Sequence, residues 1–135
     1  MGPIYKILRN GKNDTKSIIK FLGVCKDPRL QRYILQRSPD SVYKAICNAF
    51  YNVAQNRDIG LSSRQRRKFS KHRKLIKRLI SPEIKLKNKR SALQRGGSLF
   101  LGTLLPLVIG TAMSYLGSKF LNNSSDGHVQ KTETI

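Results

Sequence analysis

Tryptophan is absent from these 135 residues, and only seven side chains are acidic, against 27 lysines and arginines. The shortage of acids leaves a formal charge of +20 at pH 7. That is far beyond what solubility needs, so the partner indicated is a polyanion, either nucleic acid or an anionic membrane. Cysteine is scarce too: Cys25 and Cys47 are too widely separated for close metal-ligand spacing and too few for a disulfide framework. Both fall among apolar helical residues and are expected as reduced core thiols. Nothing in the residue pattern indicates catalysis, and no cofactor or metal is expected. The first twenty residues lack an apolar run long enough for a secretory signal, because Lys6, Arg9, Lys12 and Asp14 interrupt them. Gly2 is followed by Pro3, and Lys6 stands where a myristoylation signal has a hydroxyl residue. Alternating strand patterns and repeats of solenoid length are also missing.

The charge that is present is unevenly distributed. Residues 1–60 carry 11 basic and 4 acidic groups, and residues 61–95 carry 14 and 1; residues 96–121 hold only Lys119, and 122–135 hold 1 and 2. This divides the chain into a small helical domain (1–60), a basic polyanion-binding segment (61–95), an apolar segment read as membrane-inserting (96–121) and a polar, flexible tail (122–135). The length allows one small domain with appendages.

The first segment reads as helical. Asp27-Pro28 and Ser38-Pro39 each place a capping oxygen before a proline, which is tolerated at the first helical position because its missing N–H would be unpaired there. In "SPDSVYKAICNAFYNVAQN", Val42, Ile46, Ala49, Phe50 and Val53 recur at helical spacing, predicting a helix from about Pro39 to Gln55 with one apolar stripe. Leu30, Tyr33 and Ile34, and earlier Ile18, Ile19, Phe21 and Leu22, supply facing stripes. A three-helix cluster follows. No recognition helix of a helix-turn-helix stands out.

The second segment, "LSSRQRRKFSKHRKLIKRLISPEIKLKNKRSALQR", opens with Ser62 or Ser63 as a cap. Phe69, His72, Ile76 and Ile80 share one helical face with Leu75 and Leu79 beside it, while Arg64, Arg66, Arg67, Lys68, Lys71, Arg73, Lys74, Lys77 and Arg78 take the remainder. This predicts one basic amphipathic helix, ended by Ser81-Pro82-Glu83. Lys85, Lys87, Lys89, Arg90 and Arg95 continue the charge. Arginine forks pair bidentately with phosphate and lysines act as mobile point charges, so these cations suit salt-dependent, sequence-tolerant binding of phosphate backbones. Phe69 is the one aromatic between 61 and 95, which leaves no platform for stacking successive bases and no RNA-recognition signature. "RQRRKFSKHRK" also matches a nuclear-localisation cluster. His72 reads as a packing or solvent residue.

From Gly96 to Ser118 there are 23 consecutive uncharged residues, enough at helical rise to cross a hydrocarbon core of about 30 Å. The residues expected against lipid are Leu99, Phe100, Leu101, Leu104, Leu105, Leu107, Val108, Ile109, Met113, Tyr115 and Leu116, with Lys119 at the far interface. Pro106 should kink the helix. Gly102, Gly110, Ser114 and Ser118 form a small-residue face for packing on another helix, including one from a second copy. A buried hairpin or oligomer core is the other reading of this segment.

The order "SPDSVYKAICNAFYNVAQ", "LSSRQRRKFSKHRKLIKRLI", "LKNKRSALQRGG" and then an apolar stretch resembles the small basic proteins encoded beside capsid genes in Polinton/Maverick elements and the related adintoviruses. The resemblance covers residues 28–118. It implies a virion protein comparable to the adenovirus mu precursor, a DNA-condensing core protein with an apolar part, assembled with capsid proteins in the host nucleus. Gln94 stands where adenovirus-type proteases favour an aliphatic residue, so the Gly96-Gly97 pair departs from their pattern. The expectation is therefore an all-α, non-enzymatic, DNA-condensing minor virion protein with a membrane-active C-terminal segment. The alternatives are a tail-anchored adaptor whose N-terminal helices bind a protein, and an RNA-binding, ribosome-associated protein.

Overall fold

Val42, Tyr43, Ala45, Ile46, Ala49 and Phe50 are all completely buried, so the helix that carries them is covered on nearly every side. A helix that is apolar around most of its circumference belongs at the centre of a bundle. The computed structural model, which describes residues 14–56 and 59–117, places it there. Among the described residues all regular structure is helical: α1 (Asp14–Leu22), α2 (Pro28–Gln36), α3 (Asp40–Gln55), α4 (Ser63–Lys71), α5 (Arg73–Ile80), α6 (Leu86–Gln94), a π-helical turn (Phe100–Leu104) and α7 (Leu105–Leu116). The central helix, α3, packs against α1, α5, α6 and α7, and the π turn lies on α2.

Local chemistry explains some of the boundaries. The Asp27 carboxylate accepts the Arg29 N–H at 3.0 Å and caps α2, with Pro28 in its first turn. Ser38 does not cap α3 as the sequence suggests. Its hydroxyl is buried and donates back to the Ile34 carbonyl at 2.7 Å, while Pro39 occupies the cap position without a side-chain bond. The expected stripe of Val42, Ile46, Ala49, Phe50 and Val53 is buried, as are Ile18, Ile19, Leu22 and Ile34. Cys25 and Cys47 are free and buried. Tyr43 donates its hydroxyl to the Leu35 carbonyl and accepts the Gln94 amide at 2.8 Å, which ties α2, α3 and α6 together.

The apolar run takes a different role from the expected one. Phe100, Leu101, Leu104, Leu105, Val108, Ile109 and Ala112 are at most 1% exposed and belong to the same hydrophobic cluster as the N-terminal helices and as Ile76, Leu79 and Leu93. No described helix is long and apolar enough to cross a membrane; the 12 residues of α7 span only about 18 Å. Leu107 and Met113 are partly buried against the core, whereas Leu99 and Tyr115 are exposed. Burying a side chain of this size contributes about 1.5–3 kcal/mol, so the run supplies much of the core. The three charge segments between residues 14 and 117 share that one core.

Pro106 does interrupt the helix, through the π turn before it. Lacking an N–H, Pro106 leaves the Gly102 carbonyl without its usual partner, and Leu105 N–H bonds to the Phe100 carbonyl five residues back. Gly102 suits a tight approach, because a Cβ there would stand 3.0 Å from the Lys26 carbonyl and 3.1 Å from the Pro28 ring, and one of them would have to shift. The expected small-residue face is thus partly occupied by the same chain's α1–α2 turn. Ser114 is exposed; Ser118, Lys119 and the tail lie outside the described residues. Gly117, at φ 60°, ends α7 in a conformation that favours glycine.

Candidate nucleic-acid interface

Ser62 opens the basic surface. Its hydroxyl accepts the Gln65 N–H at 3.1 Å, and the Gln65 side chain accepts the Ser62 N–H at 2.8 Å, which completes a capping box. The helix it starts, α4, has no buried residue. Phe69 alone links it to the aromatic core, 6.4 Å from the Phe50 ring, which stacks on Phe100 at 5.6 Å. Arg64, Arg66, Arg67 and Lys71 are exposed and Lys68 is half-buried.

The expected single basic helix is broken at His72, where φ −109° and ψ 26° separate α4 from α5. The imidazole meets the Phe100 ring edge-on at 5.4 Å, which is the packing rather than the solvent role of the two expected. Burial and then the Lys71 charge lower its pKa from the ordinary 6.5. Beyond the break, Ile76 and Leu79 are buried while Arg73, Lys74, Lys77 and Arg78 face solvent. Ser81-Pro82-Glu83 ends α5, with the Ser81 hydroxyl accepting the Glu83 N–H at 3.3 Å. Lys85, Lys87 and Arg95 are exposed and Lys89 is half-buried.

Arg90 separates from this group. It pairs with the Asp40 carboxylate and lies over the Tyr43 ring at 4.4 Å, so it fastens α6 to α3. It is the one predicted binding cation with an ion pair among the described residues. Two cations outside the segment are also committed structurally: Arg32 donates to the Gly96 carbonyl at 2.9 Å, and Arg37 lies 3.8 Å over the Tyr33 ring. Lys26 is different. The fold sets it on one groove with Arg64 and Lys68, which no signal in the sequence announces because it lies in another segment.

Charge at the starts of these helices opposes their stability, whereas Lys68, Lys71, Lys77 and Arg78 in the last turns of α4 and α5 favour it. Helix N-termini carry partial positive charge and favour acids, yet the first turns of α4, α5 and α6 contain no acid. Arg64, Arg73, Lys74 and Lys87 stand there instead. Each such placement costs about 0.3–1 kcal/mol at low salt, and like charges crowded on α4 and α5 add to that. An anion laid on the surface reverses the sign of both effects. Among the described residues no group of acids, histidines and cysteines could hold a metal, and burial pushes the Cys47 thiol up to about 11. What this surface offers chemically is exposed positive charge from its lysines and arginines. Comparison with known proteins finds no matching family model, no similar curated protein and no similar solved structure.

Proposed function

We propose that this chain is a non-enzymatic, sequence-tolerant nucleic-acid-binding protein that grips phosphate backbones with α4, α5 and the start of α6. In that role it is suited to condensing DNA, as the resemblance to minor virion proteins implies. The observation that carries the reading is a run of exposed lysines and arginines, without ion pairs among the described residues, on a helix that buries none of its own side chains. A tail-anchored adaptor gains no support, because the run that would serve as its anchor lies in the core. Membrane activity would require that core to open.

Binding of duplex DNA by the full chain across a range of salt concentrations tests the proposal. Replacing Arg66, Arg67, Lys68, Lys71, Arg73 and Lys74 together by alanine should weaken binding steeply and flatten the salt slope by about 0.9 for each phosphate no longer neutralised. Unrelated duplexes should bind alike. A salt slope unchanged in the variant would exclude this surface.

A further inference from the structure

A groove of about 540 Å³ lies between the start of α4, the α1–α2 turn and the π turn, and Lys26, Arg64 and Lys68 line it with Ser62 and Thr103. We infer that this groove is a discrete phosphate site that seats one phosphodiester of a nucleic-acid backbone. The choice of ligand rests on the nucleic-acid reading above; the anion-binding character rests on the groove itself.

Among the described residues no acid lines the groove and none of the three cations has an ion-pair partner. Asp27, next to Lys26 in the chain, has its Oδ1 on the Arg29 N–H at 3.0 Å, at the start of α2. Converging like charges on a concavity is unfavourable without a counter-charge, and low-dielectric walls focus their field inward. Pro106 and Leu107 provide such a wall. The Ser62 oxygen is already accepting from Gln65 N–H, so its own hydrogen is available to donate. Thr103 lies in the π turn, an irregularity that recurs at functional positions.

The groove also has a direction. Arg64, Lys68 and Lys71 follow at four- and three-residue spacing, so cations continue along one face of α4 in steps of about 5–6 Å. A linear polyanion fills such a line, whereas a lipid headgroup occupies only its first step.

The test compares two variants of the full chain: Lys26→Ala with Arg64→Ala and Lys68→Ala, and a charge-matched control with Arg73→Ala, Lys77→Ala and Arg78→Ala. All six side chains are exposed or half-buried, and circular dichroism checks that both variants fold. Titrated with inorganic phosphate, the wild type and the control should show saturable amide shifts at Ser62, Gly102 and Thr103, and the groove variant should show none. Duplex DNA at physiological salt should bind the groove variant about tenfold more weakly than the control. Phosphate shifts that are absent from the wild type, or equal DNA losses in the two variants, would overturn the groove while leaving the broader DNA reading standing. Groove-dependent phosphate shifts in a wild type that fails to bind DNA would instead refute the nucleic-acid reading and keep the anion site. Groove-dependent binding to phosphatidylglycerol vesicles that exceeds binding to DNA would overturn the assignment to nucleic acid.

Discussion

His72 joins the basic surface to the core, and its titration should report on that junction. Burial against Phe100, and secondarily the Lys71 charge, hold its folded pKa below the ordinary 6.5. The unfolded chain therefore takes up the proton first as pH falls. The stability that depends on the neutral ring is complete above about pH 6.5 and is lost as pH drops toward the folded pKa. Urea unfolding at pH 7.5 and pH 5.5 should show a lower midpoint at the acidic pH for the wild type, and a smaller difference for His72→Gln. Equal pH dependence in the two proteins would remove His72 from the account. Arg90 makes the complementary point. It is as basic as its neighbours, yet the Asp40 carboxylate and the Tyr43 ring make it a fastener of α6.

Among the elements, α4 carries the most charge and the least packing. A nine-residue helix without a buried face is marginal by itself, so its capping box has an outsized role. Ser62→Ala should cost about 1 kcal/mol, and the loss should stay local because so little of α4 is tied to the core. Amides from Arg67 to Lys71 should exchange about fivefold faster, in line with that energy, while the global melting midpoint hardly moves. A matching drop in global stability would mean that α4 unfolds only with the rest of the protein. A cap at Ser62 or Ser63 and the inward position of Ile76 were legible because they depend on neighbours within one or two turns, whereas Leu79, expected beside that face, is completely buried and Ile80 only half-buried. The break at His72 was not legible, since no glycine or proline marks it and its imidazole packs on a ring 28 positions further along the chain.

Across the whole molecule, the apolar run and the basic surface are two sides of one fold. Leu105 is completely buried beside the central helix. An arginine there would be an unpaired charge inside a protein core, and Leu105→Arg should destabilise the protein by more than about 4 kcal/mol, much of a typical total of about 5–15 kcal/mol. Circular dichroism should show a sharply lowered melting midpoint, with DNA binding weakened in step as the helices lose their support. The wild type should leave anionic vesicles intact under native conditions. Native circular dichroism in the variant, or vesicle leakage by folded wild type, would return the run to the membrane reading.

Helicity, the cap at Asp27, a cap at Ser62 or Ser63 and the stripe on α3 could be read from the chain because each depends on spacing within a few turns, where backbone geometry dictates which side chains meet. The excess of positive charge could be read directly, since charge is additive and independent of folding. The destination of residues 96–118 could not. Transfer out of water rewards an apolar run equally in lipid and in a protein interior, so hydropathy does not distinguish the two; the choice depends on whether the rest of the chain offers a matching apolar surface. Here α1 and α3 do, with Gly23 and Gly102 allowing the close approach. Tertiary contacts likewise divided the cations, sending Arg90 to Asp40 and bringing Lys26 to Arg64 and Lys68. Charge is a property of each residue, but whether it is neutralised or presented to a partner depends on what the fold places beside it.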